Sequence, residues 1–164
     1  MITVYCNGCH DGDTLQVEDR TAGLRYYIRI ADIDAPEVFS PYSTDQNFGR
    51  KAGAIVRNIV KGQTLQIVLL RRDIFNRRVC NVSLNGVDLA TTLLRDGIVW
   101  ADVRKPDPLG LKELQATAKA QKLGLWDYPG RKIRPSTWRR LYPPTRRSAI
   151  DLTFWDDQPF WSVD

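Results

Sequence analysis

One histidine, one methionine and three cysteines in 164 residues leave the chain little soft-ligand chemistry. Cys6 to His10, "CNGCH", matches the C-x-x-C-H attachment pattern of a c-type haem. His10 and Met1 are the only residues of their kinds, so a second axial ligand from the protein would have to be unusual. A tetrahedral structural zinc site needs four Cys or His ligands, and the whole chain has four, with Cys80 remote in sequence. Neither haem nor zinc is expected. Cys6 and Cys80 read as small apolar strand residues; a local Cys6–Cys9 disulfide stays open, and the cysteines do not settle the redox compartment. No apolar run approaches the length of a membrane span. No basic leader followed by an apolar stretch and a small-residue cleavage site is visible, so an intracellular location is the default expectation. A chain from which a leader had been removed would read the same, which leaves a secreted or periplasmic alternative. There is no internal repeat and no low-complexity segment.

What is present is ordinary globular material, 43% hydrophobic and 26% charged, enough to bury one core and to carry an extension. Twenty-four Lys and Arg against nineteen Asp and Glu give a net charge of +5 and a pI of about 9.3. That balance favours a polyanionic partner only if the charge is arranged around a chemically suitable site.

Periodicity places five short strands. In "LRYYIRI", Tyr26, Ile28 and Ile30 alternate with Arg25, Tyr27 and Arg29, which puts Arg29 on the face away from the core. "TLQIVLL" repeats the pattern through Leu65, Ile67 and Leu69, and "RRVCNVSL" follows before a turn at Asn85-Gly86. "ITVY" and "TLQVE" complete the set. Three helices are expected: one with Ala52, Ile55, Val56, Ile59 and Val60 on one face and Gly62 beyond its end, one from Val87 to Asp96 closed by Gly97, and one with Leu111, Leu114 and Ala118 capped by Gly124. A helix between the third and fourth of five strands suits a small closed barrel of the oligonucleotide-binding (OB) type. The expected class is α+β, mainly β: a five-stranded OB-fold barrel with three helices plus a C-terminal extension, divided into 1–126 and 127–164.

The extension is polarised. Residues 128–148 hold seven basic residues and no acid, whereas residues 149–164 hold four Asp and no Lys or Arg. "STWRRLY" suits one capped turn. The basic part is a candidate for phosphate contacts, or for a wrap over apolar barrel surface; the acidic, aromatic end is a candidate mimic of a single strand.

Five polar residues sit at strand ends and turns: Asp13, Arg29, Asp34, Glu37 and Arg77. Short carboxylates such as Asp13 and Asp34 suit a hard divalent cation. Two arginines able to fork onto phosphate suit a phosphodiester, and Glu37, after Pro36 in a rigid turn, is placed to orient or deprotonate a water. Asp11, Asp32 and Asp73 read as turn caps or salt bridges, and Arg25, Arg71, Arg72 and Arg78 as solvated strand faces.

At these residues the chain resembles the staphylococcal nuclease (thermonuclease) family, through "DGDT", "RIADIDAPE", "DIFNRR", "LLRDG" and "AKAQKLGLW", in the family's order from about Ile2 to Trp126. The resemblance implies a Ca²⁺-dependent phosphodiesterase, with another divalent cation an alternative, acting on DNA and RNA and leaving 3′-phosphate and 5′-hydroxyl ends. It implies that Asp13 and Asp34 bind the metal together with the Ala35 backbone carbonyl, that Arg29 and Arg77 bind phosphate, and that Glu37 is the catalytic glutamate. Ala35 stands where the family often has threonine, and Asn76 replaces a common glycine before Arg77 at a turn whose positive φ asparagine tolerates. The family's nucleotide-stacking tyrosines are not in register, so Trp100, Arg104 and Lys105 are the candidates for substrate binding. Single-stranded DNA and RNA are the expected partners of a monomer that makes no membrane contact, its tail touching the barrel or a partner. The rival reading is an OB-fold module that binds nucleic acid without cutting it.

Overall fold

The computed structural model describes residues 1–38, 44–74, 76–102, 107, 109–143 and 158–159. Its first three strands, β1 (Ile2–Cys9), β2 (Thr14–Asp19) and β3 (Leu24–Ile30), form an antiparallel meander. The two-residue β4 (Ile33–Asp34), helix α1 (Gly49–Val60) and strands β5 (Thr64–Arg72) and β6 (Arg78–Leu84) follow. β5 pairs antiparallel with both β1 and β6, and β6 lies parallel to β3. Those pairings close five strands into a barrel, β1-β2-β3-β6-β5, as the OB-type expectation requires.

Alternation drives the closure. Tyr26, Ile28 and Ile30 of β3 point inward with Leu15, Val17, Leu65, Ile67 and Val82, while Arg29 stays on the outer face. Leu69 does not continue the buried stripe of β5 and is 48% exposed. The register between β5 and β6 shifts between Leu69 and Arg71, and such a bulge bends a strand away from its core face. A second shift, between Cys6 and Gly8 of β1, resets parity so that Cys6 and Cys9 are both buried. All three cysteines are free thiols, and burial pushes each up to about 11. The Cys9 thiol donates to the Gly53 carbonyl of α1 at 3.2 Å. These cysteines pack a strand against a helix.

Helix α1 buries Ala52, Val56 and Val60. The second helix, α2 (Leu89–Arg95), begins two residues later than its apolar pattern suggests, because the Asp88 side chain caps it by accepting from the Thr91 amide at 2.7 Å. Val87–Asp88 instead forms β7, paired with β6 across the Asn85-Gly86 turn. β8 (Trp100–Ala101) pairs with β4. Helix α3 (Leu111–Ala120) stops short of Gly124, which opens a 3-10 turn, Gly124–Trp126. The three expected helices are joined by a fourth, α4 (Pro135–Leu141), with proline at its first position. Gln158–Pro159, β9, pairs with Leu24 and Arg25 at the start of β3, the end of that strand farther from Arg29. Among the described residues no helix is long and apolar enough to cross a membrane.

Candidate active site

The loop between β1 and β2 is built to turn Asp13 inward. Asp11 Oδ1 accepts from the amides of Asp13 at 3.1 Å and Thr14 at 2.8 Å, which closes the turn. A Cβ on Gly12 would lie 2.9 Å from the Ala35 Cβ, so glycine lets this loop rest directly on the "IDAPE" stretch. Asp13, only 2% exposed, then accepts from the Thr14 hydroxyl at 3.0 Å and Arg29 Nη1 at 2.8 Å on Oδ1, and from the Ala35 amide at 2.8 Å on Oδ2.

Arg29 leaves the outer face of β3 directly opposite Thr14 in the β2–β3 ladder. Its Nη2 donates to Asp34 Oδ1 at 2.9 Å and to the Ile33 carbonyl at 3.1 Å. One guanidinium therefore bridges Asp13 and Asp34. Asp34 is itself fixed by its pairing with Trp100 across the β4–β8 ladder. Glu37 is held by its backbone: its amide donates to Gln46 Oε1 at 3.1 Å and its carbonyl accepts from the Gln46 amide at 2.9 Å. Gly49 at the start of α1 closes over it, since a Cβ there would come within 2.5 Å of the Glu37 carbonyl oxygen.

Arg77 enters from the β5–β6 turn. Asp73 Oδ1 accepts the Arg77 amide at 2.9 Å and Asp73 Oδ2 accepts its Nε at 2.8 Å, while Nη1 donates to the Thr14 hydroxyl at 3.2 Å. Asn76 adopts φ 61° before it, the left-handed backbone expected there. The Thr14 hydroxyl thus joins Arg77 to Asp13. Asp73 does more than cap a turn, because it aims Arg77 at that hydroxyl; the four-residue spacing in "DIFNR" is the signal that reveals it.

A residue absent from the sequence-derived set completes the cluster. Arg139 of α4 donates from Nη1 to Asp34 Oδ1 and from Nη2 to Asp34 Oδ2, each at 3.0 Å. Its Nη1 also donates to Glu37 Oε1. The helix is anchored beside the barrel: Gln46 Nε2 donates to the Ile133 carbonyl at 2.6 Å, Arg134 Nη1 donates to the Ala101 carbonyl at 3.3 Å, and the Arg134 guanidinium lies 5.1 Å from the Trp100 ring centre. No motif marks Arg139, which sits in a basic run more than a hundred residues from its partners.

The structure gives Trp100 a packing role rather than an open stacking face. It is buried, edge-on to Trp126 at 4.5 Å and beneath Arg134. Arg104 and Lys105 lie outside the described residues, as does most of the acidic end of the tail. Ala35 meets the cluster through its amide on Asp13.

The model of a family described as staphylococcal nuclease homologue matches residues 27–128. The chain belongs to the staphylococcal nuclease family. A protein of Escherichia coli O157:H7 named "Uncharacterized endonuclease" is 32% identical over 131 residues, 79% of each chain. A "Micrococcal nuclease" of Shigella flexneri is 28% identical over 141 residues, covering 79% of this chain and 76% of its own. A "Probable staphylococcal-like nuclease" of Oryza sativa subsp. japonica is 27% identical over 135 residues, 82% of this chain but 34% of the longer rice protein.

The electrostatics of this family member follow from burial. Burial pushes Asp13 up, opposed by Arg29. Burial works against the charge of Arg29, yet Asp13 and Asp34 hold it above the ordinary arginine range. Glu37 is pushed up to about 7 by burial, with Arg139 pulling the other way. Among the described residues no group of three or more His, Cys, Asp or Glu side chains forms a ready metal cage. Asp13 and Asp34 still suit a hard dication in donor chemistry. They are oxygen donors brought together by one bridging guanidinium, and a cation held by one or two carboxylates completes its shell with water and substrate phosphate.

Proposed function

We propose that the chain is a divalent-cation-dependent phosphodiesterase, with Ca²⁺ as the ion, that hydrolyses DNA and RNA to 3′-phosphate and 5′-hydroxyl ends. The observation that carries this reading is the bridge of Asp13 and Asp34 by Arg29, with Glu37 joined to Asp34 through Arg139. Two acidic residues, a candidate base and three arginines are gathered at one end of a barrel whose family relatives carry nuclease names. The end-group chemistry comes from the family resemblance.

Asp13 and Asp34 would hold the ion, which when bound polarises a phosphoryl oxygen and neutralises developing charge. Arg29 and Arg77 would orient the phosphodiester and stabilise the equatorial oxygens as charge accumulates on them. Glu37 would take a proton from the attacking water, a step whose loss typically costs ~10²- to 10⁴-fold in rate. Asp73 and Thr14 keep Arg77 aimed, and Gln46 keeps the Glu37 backbone in place.

The deciding experiment incubates single-stranded DNA and RNA with the protein and Ca²⁺, with and without a chelator, and analyses the ends of the products. Chelator-sensitive cutting to 3′-phosphates is expected, together with a properly folded Glu37→Gln variant that has lost most turnover. Binding without cutting would favour the non-catalytic module instead. Arg77→Lys is expected to be damaging as well, because an ammonium cannot reproduce the two-pronged contact.

A further inference from the structure

Helix α4 sets Arg139 against the two carboxylates on which the proposed reaction most depends. Its terminal nitrogens span Asp34, Nη1 on Oδ1 and Nη2 on Oδ2, both at 3.0 Å, and Nη1 also reaches Glu37. Arg29 adds a second donor to Asp34 Oδ1 at 2.9 Å. Both oxygens of Asp34 are therefore engaged by guanidinium hydrogens. A hard dication approaches a carboxylate oxygen to about 2.0–2.6 Å, inside the space those donors fill, and a doubly charged ion repels a guanidinium on the same edge. An ion held by the edge of Asp34 that Arg139 spans has to take the guanidinium's place.

The way α4 is attached makes such an exchange local. The helix is held by a buried Pro135, by Gln46 on Ile133 and by Arg134 on Ala101 and Trp100. None of those contacts uses Asp34 or Glu37. The Arg139 side chain is 36% exposed, so it can swing on its own stem while the helix stays docked. It also keeps the Asp34 and Glu37 carboxyl groups side by side.

We propose that Arg139 is a further residue of the active site: an internal counter-ion that holds Asp34 and Glu37 in place, competes with the dication for Asp34, and is displaced when the ion binds. This rests on the metal-dependent reading above. It gives the C-terminal extension a defined task, setting the ion concentration at which the site becomes competent.

Calorimetric titration of the full chain with CaCl₂, in the parent, R139A and R139K proteins, tests it. R139A should bind Ca²⁺ about tenfold more tightly or better, because no charge-assisted hydrogen bonds have to be broken. R139K, which keeps the charge but cannot span Asp34, should fall between, and it supplies the comparison on its own if R139A does not fold. In the parent, the Arg139 guanidinium N–H resonance, identified by its loss from the variants, should shift as Ca²⁺ is added. Equal or weaker Ca²⁺ binding by a folded variant overturns the competition, and Ca²⁺ binding by the parent in that case leaves the metal-dependent reading standing. Failure of the parent and both variants to bind Ca²⁺, Mg²⁺ or Mn²⁺ sinks the metal-dependent reading and this inference together.

Discussion

Asp34 is gripped by two arginines from very different parts of the molecule. Arg29 projects from the third strand of a closed barrel, while Arg139 projects from a seven-residue helix in the C-terminal extension. Their distances to Asp34 are nearly equal, 2.9 and 3.0 Å, so distance does not distinguish them. Their surroundings do. Arg29 is 17% exposed and joins two buried carboxylates, where loss of a partner strands charge away from water. Arg139 is twice as exposed and its helix has other anchors, so water reaches its side of the pair, and Asp34 keeps Arg29 when Arg139 leaves. One arginine belongs to the architecture of the site, and the other is the one we propose the ion displaces.

Several substitutions put that contrast to the test, the most severe first. Arg29→Ala should cost about 3 kcal/mol or more of stability, since it leaves Asp13 and Asp34 facing each other without their bridge. A urea midpoint close to that of the parent would mean that the barrel does not depend on this bridge.

Glu37 tests whether burial or Arg139 governs the second carboxylate. Its pKa is raised in the fold from 4.5 to about 7, chiefly by burial. Between those values the folded protein holds a proton that the unfolded chain has lost, so stability falls as pH rises through this window and the full cost is present above it. Without added dication, Glu37→Gln should match the parent near pH 4 and exceed it at pH 8 by about 1–3 kcal/mol. Thermal melts at the two pH values decide it, and a Gln variant no more stable at pH 8 would hand control of Glu37 to Arg139.

Asp34→Asn removes the charge that the two arginines share and turns one of its two acceptor oxygens into a donor. Arg29 keeps Asp13, so barrel amides should retain their protection in hydrogen exchange, while α4, held by its own anchors, should loosen only locally around Arg139. Protection lost equally from β3 and α4 would erase the distinction between the two regions. The smallest effect is expected from Arg139→Ala, which leaves Asp34 paired with Arg29 and should cost about 1–2 kcal/mol, less than Arg29→Ala. A loss comparable to that of Arg29→Ala would make the extension as structural as the barrel.

The barrel was largely legible because its information is local. Alternation in "LRYYIRI" put Tyr26, Ile28 and Ile30 inside and Arg29 outside, and the structure agrees. The pattern misled where a bulge changed parity: Leu69 reads as buried and is not, and the cysteine pair in β1 has the look of chemistry although both thiols pack into the core. A bulge depends on the partner strand, which periodicity within one strand does not report. Asp13, Arg29, Asp34, Glu37 and Arg77 could be picked out because each ends a strand or opens a turn in a recognisable motif. Their joining through Thr14, and the aiming of Arg77 by Asp73, needed the strands to be placed side by side.

The sequence by itself determined the five strands, the first helix, the candidate acidic and basic groups, and a residue at Asn76 that tolerates the positive φ found there, because residue chemistry and short-range spacing govern these. Only the tertiary structure decided that Trp100 is enclosed rather than available for stacking, and that the basic extension delivers one arginine to the carboxylates at the centre of the site. The reason is physical: a contact such as Arg139 to Asp34 depends on where a docked helix ends up, and a run of basic residues fixes neither the docking nor which of its members turns inward.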